Sequence, residues 1–527
     1  MDIEEEKYSQ LLKFDMNIEK RKEDNSEIFK NDFDDDFLKN NKINKRKKIR
    51  MFILLLIIII IIGLIIFFII NSNNKRKISC IIGEKEKCKT CKEHSNECLT
   101  CNLGYILYKG KCFLDYSFRA TYYTDKDNQT IKLIGDPDIY KIIKMKIWEK
   151  VLINPPSNYT FPSAGNHTVD ILMDISQITS FANFFNGVTN LIFISFYPSF
   201  HNDNITDMNG FLSNCISLVY IDMSNFQSQN INNINDMFYN CTNLTFFNMS
   251  IFNTGNVKSM KHLFKFCSSL ISIDFSNINT NNLVDMESMF YGCISLISLN
   301  LSNFNTEKVT NMYALFSNCQ SLSSIDLSNF NTEKVKKMRE LFRNCRSLSS
   351  LDLSNFDIKN VKSISRMFAY CMNITSLNLS NFNTKNVEDM SNMFSDCYSL
   401  KSIDIYKFET QKVSDMDGMF SDCYSLETIN LSNFDTRKVK SIAHMFENCI
   451  NITSLNLSNF YINNSVSIYG IFSGCIKLTF IDISSFHINK TDFLFEHHPD
   501  KGEIFVSNDY YNSIKMYLSN WEIKIIN

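Results

Sequence analysis

Apolar residues return along most of this chain on a fixed beat of 26 positions, and polar residues fill the gaps in an equally fixed order. In the unit starting at Cys293, "CISLISLNLSNFNTEKVTNMYALFSN", Leu296, Leu299 and Leu301 follow an L-x-x-L-x-L pattern. That is the alternation of a short strand with one face inward. Ser302 and Asn303 then turn the chain, Phe304 fills the corner, and Thr306 is placed to cap a helix through its hydroxyl. Val309, Met312, Leu315 and Phe316 share one face at helical spacing, so the pattern predicts a strand and a helix in every unit. No single unit can bury both of its apolar faces; stacking at about 4.8 Å per rung must do it, and eleven rungs make a sheet on the order of 50 Å long. The predicted fold class is α/β, a leucine-rich-repeat solenoid with a parallel sheet on its concave face and helices on its convex face.

The beat holds over residues 188–500, and the flanks differ. A β-rich N-terminal cap is expected over 118–187, from "ATYYTDKDNQTIKLIG", "IIKMKIW" and "NYTFPSAGNHTVDILM". Val188 stands at the cysteine position of one degenerate repeat. A C-terminal cap is expected over 501–527, reading strand, helix, strand, with Trp521 sealing the last rung. Residues 51–70, "MFILLLIIIIIIGLIIFFII", match the length of a bilayer core without a charge and predict a transmembrane signal-anchor helix. Seven Lys or Arg residues precede that run closely and three follow it. The asymmetry leaves the N-terminus in the cytoplasm and the rest outside, a single-pass protein of the plasma membrane. Residues 1–50 read as a disordered cytoplasmic tail, in which Tyr8 to Leu11, "YSQL", matches a tyrosine-x-x-bulky sorting element.

Cysteine occurs in two settings. Eleven cysteines, Cys215 to Cys475, stand 26 residues apart without a slip. An odd number cannot pair completely, in-register side chains suit neither a disulfide torsion nor a metal cage, and each is expected to be a small buried hydrophobe. The other six, Cys80, Cys88, Cys91, Cys98, Cys101 and Cys112, crowd into residues 78–114. Two C-x-x-C pairs could hold zinc in a reducing compartment, but the expected topology favours disulfides. The ending "CNLGYILYKGKC" resembles the disulfide modules of epidermal-growth-factor-like and furin-like repeats, and such a module would serve as a stalk. Sequons at Asn128, Asn158, Asn166, Asn204, Asn243, Asn373 and Asn489 are glycosylation candidates consistent with an extracellular location.

A net charge of −2 with interspersed signs makes no demand for nucleic acid. No phosphate loop, nucleophile elbow or H-E-x-x-H pattern occurs, so no enzyme, cofactor or metal is expected. Binding is left to the position seven residues after each cysteine. Asp222, Asn248, Asp274, Asn300, Asp326, Asp352, Asn378, Asp404, Asn430, Asn456 and Asp482 form a polar ladder there. It serves either to keep an exposed sheet soluble or to form a recognition face, with cations between carboxylates such as Asp326 and Asp352 as one version of the latter. A second patch, "EKVKKMRELFRNCR" from Glu333 to Arg346, is basic and reads most simply as a solvated helix face.

The repeated unit, together with "YTFPSAGNHTV" and "IFVSNDYYNSIKMYLSNW", resembles the BspA-like leucine-rich-repeat surface proteins with the 26-residue bacterial-type repeat. That resemblance runs from about Ala120 to the C-terminus. It implies a cell-surface adhesin whose solenoid binds extracellular protein, matrix or glycan. A receptor that internalises cargo through "YSQL" and a structural coat protein remain the alternatives.

Overall fold

A computed structural model describes residues 117–526 apart from 136–141, 154, 174–177, 199, 201–202, 227–228 and 489–493, together with four short strands between Cys88 and Leu114. The chain divides into two units, Met1–Glu97 and Cys98–Asn527. In the first, the strand Cys88–Cys91 is described. The second opens with the strand Cys98–Cys101 and an antiparallel hairpin of Tyr105–Tyr108 and Lys111–Leu114. The tail with Tyr8 and Leu11, the run at 51–70, Cys80 and Asn489 lie outside the described residues. So does the expected disulfide pairing, because only the backbone of the other five clustered cysteines is described. Among the described residues no helix is long and apolar enough to cross a membrane.

The cap is an antiparallel sheet that runs directly into the solenoid. Gly165–Met173 pairs with Phe118–Thr124 on one side and with Ile142–Ile147 on the other. Phe118–Thr124 also pairs antiparallel with Leu191–Phe196, which in turn starts the parallel ladder by pairing Phe193 with Tyr220 and Ser195 with Asp222. One six-stranded sheet therefore holds both cap and first rungs. Alternate cap residues Val169, Ile171 and Met173 point into a core of Phe118, Phe184 and Phe185, whose rings meet edge to face at 4.7–5.8 Å.

Most following rungs add a strand of two to four residues, such as Ser298–Leu299 paired with Ser324–Ile325, while residues 350–352 form none and Asn378 forms only a bridge to Asp404. The expected helices do not form. Among the described residues the one α-helix is Asn508–Ile514, in the C-terminal cap. The stretch from Met312 to Cys319 shows what replaces them. Met312, Ala314, Phe316 and Asn318 donate their N–H groups to the next rung, at Lys337, Arg339, Leu341 and Arg343, over 2.7–3.0 Å. The alternate N–H groups of Leu315, Ser317 and Cys319 close tight turns onto Met312, Ala314 and Phe316. Every second donor thus points along the stack. Ala314 and Asn318 meet this geometry with positive φ, 51° and 62°, and the same two positions recur with positive φ in rung after rung. A left-handed residue is cheapest as Gly, Asn or Asp, which accounts for Asn214, Asn240, Gly292, Asn318, Asn344, Asp396, Asp422, Asn448 and Gly474 just before the cysteines. A helix this short is marginal alone, and it would spend its donors internally. The turns place the same Met, Leu and Phe in the core while bonding one rung to the next, so the architecture is a β-solenoid.

Thr306 is consequently not a helix cap. It is buried, accepts the Asn331 N–H at 2.8 Å and donates to the Asn331 carbonyl at 3.0 Å. Thr280, Thr332, Thr384 and Thr410 make matching pairs with the rungs that follow them. Asn303, Asn329 and Asn381 reach back to carbonyls of the preceding rung. Inside, one phenylalanine per rung stacks on the next from Phe238 to Phe472; the centroids of Phe316, Phe342, Phe368 and Phe394 are 5.5–5.9 Å apart with rings within 11° of parallel.

The eleven cysteines are free and buried, as their spacing predicts. Each also donates its S–H to a carbonyl of the preceding rung, for example Cys319 to Phe290 at 3.1 Å and Cys371 to Phe342 at 3.1 Å. Burial pushes the thiols of Cys319, Cys371 and Cys475 up to about 12. At the far end Glu503–Ser507 and Glu522–Ile526 continue the parallel sheet beyond Phe480–Ile483. Trp521 closes it, donating its indole N–H to the Pro499 carbonyl at 3.0 Å.

Candidate ligand-binding face

The hydrogen bonds that hold the rungs together consume most recurrent polar positions, which narrows where a ligand could bind. The predicted Asp/Asn ladder lies along the strand face, exposed through the middle rungs and half-buried at Asp222, Asn248, Asp274 and Asp482. One oxygen of nearly every member is already engaged. Asp222, Asn248, Asp274, Asn300, Asp326, Asp352, Asn378, Asn430, Asn456 and Asp482 each accept the N–H of the residue two positions on, at 2.8–3.2 Å. These are Asx turns that end each strand. The bonds to Ser328 and Ser354 lower the carboxyl groups of Asp326 and Asp352, which stay ionised and fully exposed. Asp404 faces outward in register with Asn378. Among the described residues no group of three or more His, Cys, Asp or Glu is arranged to hold a metal ion. The ladder is thus first a turn-forming device, with one oxygen or amide per rung left to face solvent.

Two residues before each ladder member lies a second outward column. It carries Ser272, Ser298, Ser324, Ser350, Ser376, Ser402, Thr428 and Ser454 through the middle rungs. At the N-terminal end the same column is aromatic. Phe193, Tyr220 and Phe246 occupy it in consecutive rungs, Phe193 in register with Tyr220 and Phe246 with Ser272. The Phe193 and Tyr220 rings stack at 5.9 Å and 11°, and Tyr220 and Phe246 are 47% and 40% exposed. Ile271 and Ile297, about half exposed, extend the apolar strip. Beside it run Asp222, Asn248 and Asp274. The candidate site is this junction of exposed rings and short polar acceptors. The ladder pattern alone does not disclose the aromatic trio; the signal is the aromatic two places before Asp or Asn in "VYID" and "FFN", where the rungs from Ser272 to Ser454 have serine or threonine and an aromatic returns only at Phe480.

The sequon residues Asn128, Asn158, Asn166, Asn204, Asn243 and Asn373 are all exposed. The basic stretch Glu333 to Arg346 is turn-bearing backbone and not a helix, with Glu340 and Asn344 at positive φ.

A family profile described as "Mycoplasma protein of unknown function, DUF285" matches residues 158–272, 268–376, 337–460 and 366–486, which together span 158–486 without a gap. The chain belongs to the DUF285 family. No curated protein matches the DUF285 chain. Among solved structures it is similar to a leucine-rich repeat protein from Bacteroides ovatus, with 15% identity, TM-score 0.41, covering 68% of this chain and 89% of that one. It is also similar to a leucine rich cell surface protein from Faecalibacterium prausnitzii, with 19% identity, TM-score 0.35, covering 59% of this chain and 76% of that one. The pneumococcal vaccine antigen PcpA gives 14% identity, TM-score 0.24, covering 68% and 86%. At such scores these likenesses lend the DUF285 chain no activity.

Proposed function

We propose that the DUF285 chain is a BspA-like, membrane-anchored adhesin of the cell surface, which binds an extracellular glycan or glycan-bearing protein at the N-terminal end of its strand face. The observation that carries this reading is the row of Phe193, Tyr220 and Phe246 beside Asp222, Asn248 and Asp274. Monomeric soluble proteins seldom leave such aromatic surface open without a partner. Rings that pack on apolar ring faces, with carboxylates and carboxamides that accept hydroxyl protons, suit a sugar. The uncharged run at 51–70 and its positive flank support anchorage with the solenoid outside.

The test is binding of the detergent-solubilised full chain to immobilised glycans, matrix proteins and cells, beside Tyr220→Ser/Phe246→Ser. Saturable binding that the double substitution weakens about tenfold or more is expected, since truncating a buried aromatic anchor typically costs at least ~1.4 kcal/mol. Absence of saturable binding to any of these surfaces, or binding indifferent to the substitution in a folded variant, would overturn the reading.

A further inference from the structure

The turn-bearing stretch of each rung, from its valine to its cysteine, carries charge very unevenly. In residues 309–319 it carries none. The next two rungs hold Lys336, Lys337, Arg339, Arg343, Lys362 and Arg366 against a single carboxylate, Glu340. The two after those hold Glu388, Asp389, Asp396, Asp415, Asp417 and Asp422 with no basic residue at all. The following rung, with Lys440 and Glu447, is balanced again. Four consecutive rungs therefore form a basic band beside an acidic band, each on the order of 10 Å along the stack, between neutral neighbours.

The two bands only partly neutralise one another within the chain. Lys362 bridges the boundary to Glu388 at 2.9 Å. Glu340 is shared by Arg339, Arg343 and Arg366 at 3.5, 3.9 and 3.9 Å. The Nε atoms of Arg339 and Arg343 are buried and make no hydrogen bond, and neither does the buried Oδ1 of Asp417. Burial and then neighbouring carboxylates push Asp396 and Asp417 up, the neighbour being Asp422 for the first and Asp415 for the second. The six basic residues against Glu340 leave the basic band at +5 and the six carboxylates leave the acidic band at −6, with Lys362–Glu388 joining the two.

A two-fold axis lying in this surface, running along the rungs and between those of Cys371 and Cys397, reverses the order of rungs and keeps the direction across each rung. It lays the basic band of one copy on the acidic band of another, twice over. It brings Lys337 opposite Asp415, Arg339 opposite Asp417 and Arg343 close to Asp422. We propose that the DUF285 chain pairs with a second copy of itself, antiparallel and two-fold symmetric, through the turn-bearing surface of the four rungs from Val335 to Cys423. The interface is isologous, so a single patch supplies both halves. A polyanion would meet the basic band, but the adjoining acidic band repels it, whereas another copy satisfies both. The aromatic strip of the strand face takes no part in the contact.

The test uses two differently tagged full chains, co-purified in mild detergent at about 0.05 M and about 0.5 M salt, where screening lengths differ about threefold. Wild-type chains are expected to co-purify at low salt and to separate at high salt. A basic-band reversal, Lys337→Glu/Arg343→Glu, places negative against negative at both contacts of its own dimer; self-association should weaken about tenfold or more. An acidic-band reversal, Asp415→Lys/Asp422→Lys, should do the same. Mixed with each other, the two variants have opposite charges at both contacts and should pair again. Circular dichroism checks that each is folded, and Lys336→Gln/Lys337→Gln, at two exposed positions, gives a milder loss if a reversal variant does not fold. Wild-type chains that never associate, association unaffected by either reversal, or folded reversal variants that fail to rescue one another would overturn the proposal. So would a wild type that stays single while a sulfated polysaccharide column retains it.

Discussion

Phe368 stands in the middle of the phenylalanine column, fully buried, 5.9 Å from Phe342 at 9° and 5.6 Å from Phe394 at 4°. Replacing it with alanine removes the ring from both stacks and leaves a cavity that the bonded rungs cannot close by sliding, because their backbones are fixed every second residue. A buried Phe→Ala change costs about 3–5 kcal/mol, with stacking near the upper end through the loss of about 0.5–1.5 kcal/mol per ring pair. Phe368→Leu keeps part of the volume and should cost about 2 kcal/mol, from roughly three lost carbons at ~0.8 kcal/mol each. Solenoid stability is close to a sum of rungs and nearest-neighbour contacts, so the loss falls on the two interfaces that flank the Phe368 rung. Urea unfolding of Phe368→Ala, followed by circular dichroism, should split into two transitions. Amide exchange should accelerate first in the rungs next to Phe368. A single transition displaced by less than about 1 kcal/mol would show that the column is not a principal source of cohesion and would refute the argument.

Thr332→Val removes the acceptor for the Asp357 N–H, now 2.7 Å from the hydroxyl, and the donor to the Asp357 carbonyl at 3.0 Å; a loss of about 1–3 kcal/mol in urea unfolding is expected. The eleven solenoid thiols, with Cys319, Cys371 and Cys475 raised to about 12, should resist alkylation at pH 8 in the folded chain and react on denaturation, with peptide mapping as the readout. His167, 2% exposed and stacked 4.0 Å from Phe161, has its pKa lowered by burial. It is neutral in the folded chain, so its stabilisation is present above the ordinary histidine pKa near 6.5 and is lost as pH falls below that value. Thermal melts should show this loss, and His167→Phe should show less of it.

The period, the inward strand residues and the buried cysteines could be read directly because stacking demands the same residue at the same place in every rung. The helix expectation failed for a specific reason. Met312, Leu315 and Phe316 fall on one face of a helix, and equally on the inside of two successive left-handed turns, so apolar spacing cannot separate the two. What separates them is the Asn, Asp or Gly before nine of the eleven cysteines, which favours positive φ; Phe266 and Tyr370 take the same conformation in the other two. Thr306 misled in the same way: a threonine before a charged stretch reads as a helix cap, whereas here its hydroxyl serves the next rung, whose position a single repeat does not reveal. At the candidate site the polar ladder was visible and its turn-forming duty was not. The aromatic trio was obscured because most rungs carry serine or threonine at its position.

The bonds between rungs all run nearly along the axis of the stack. Tension applied between the two ends would therefore load them rung after rung, as in a zipper, and not side by side. Each rung that opens frees 26 residues, a gain of length on the order of 80–90 Å. A cell tethered through this protein would hang from a line that lengthens in steps before it parts. Single-molecule pulling should record those steps as a regular series, and one abrupt release of the whole stack would rule out such a mechanical role.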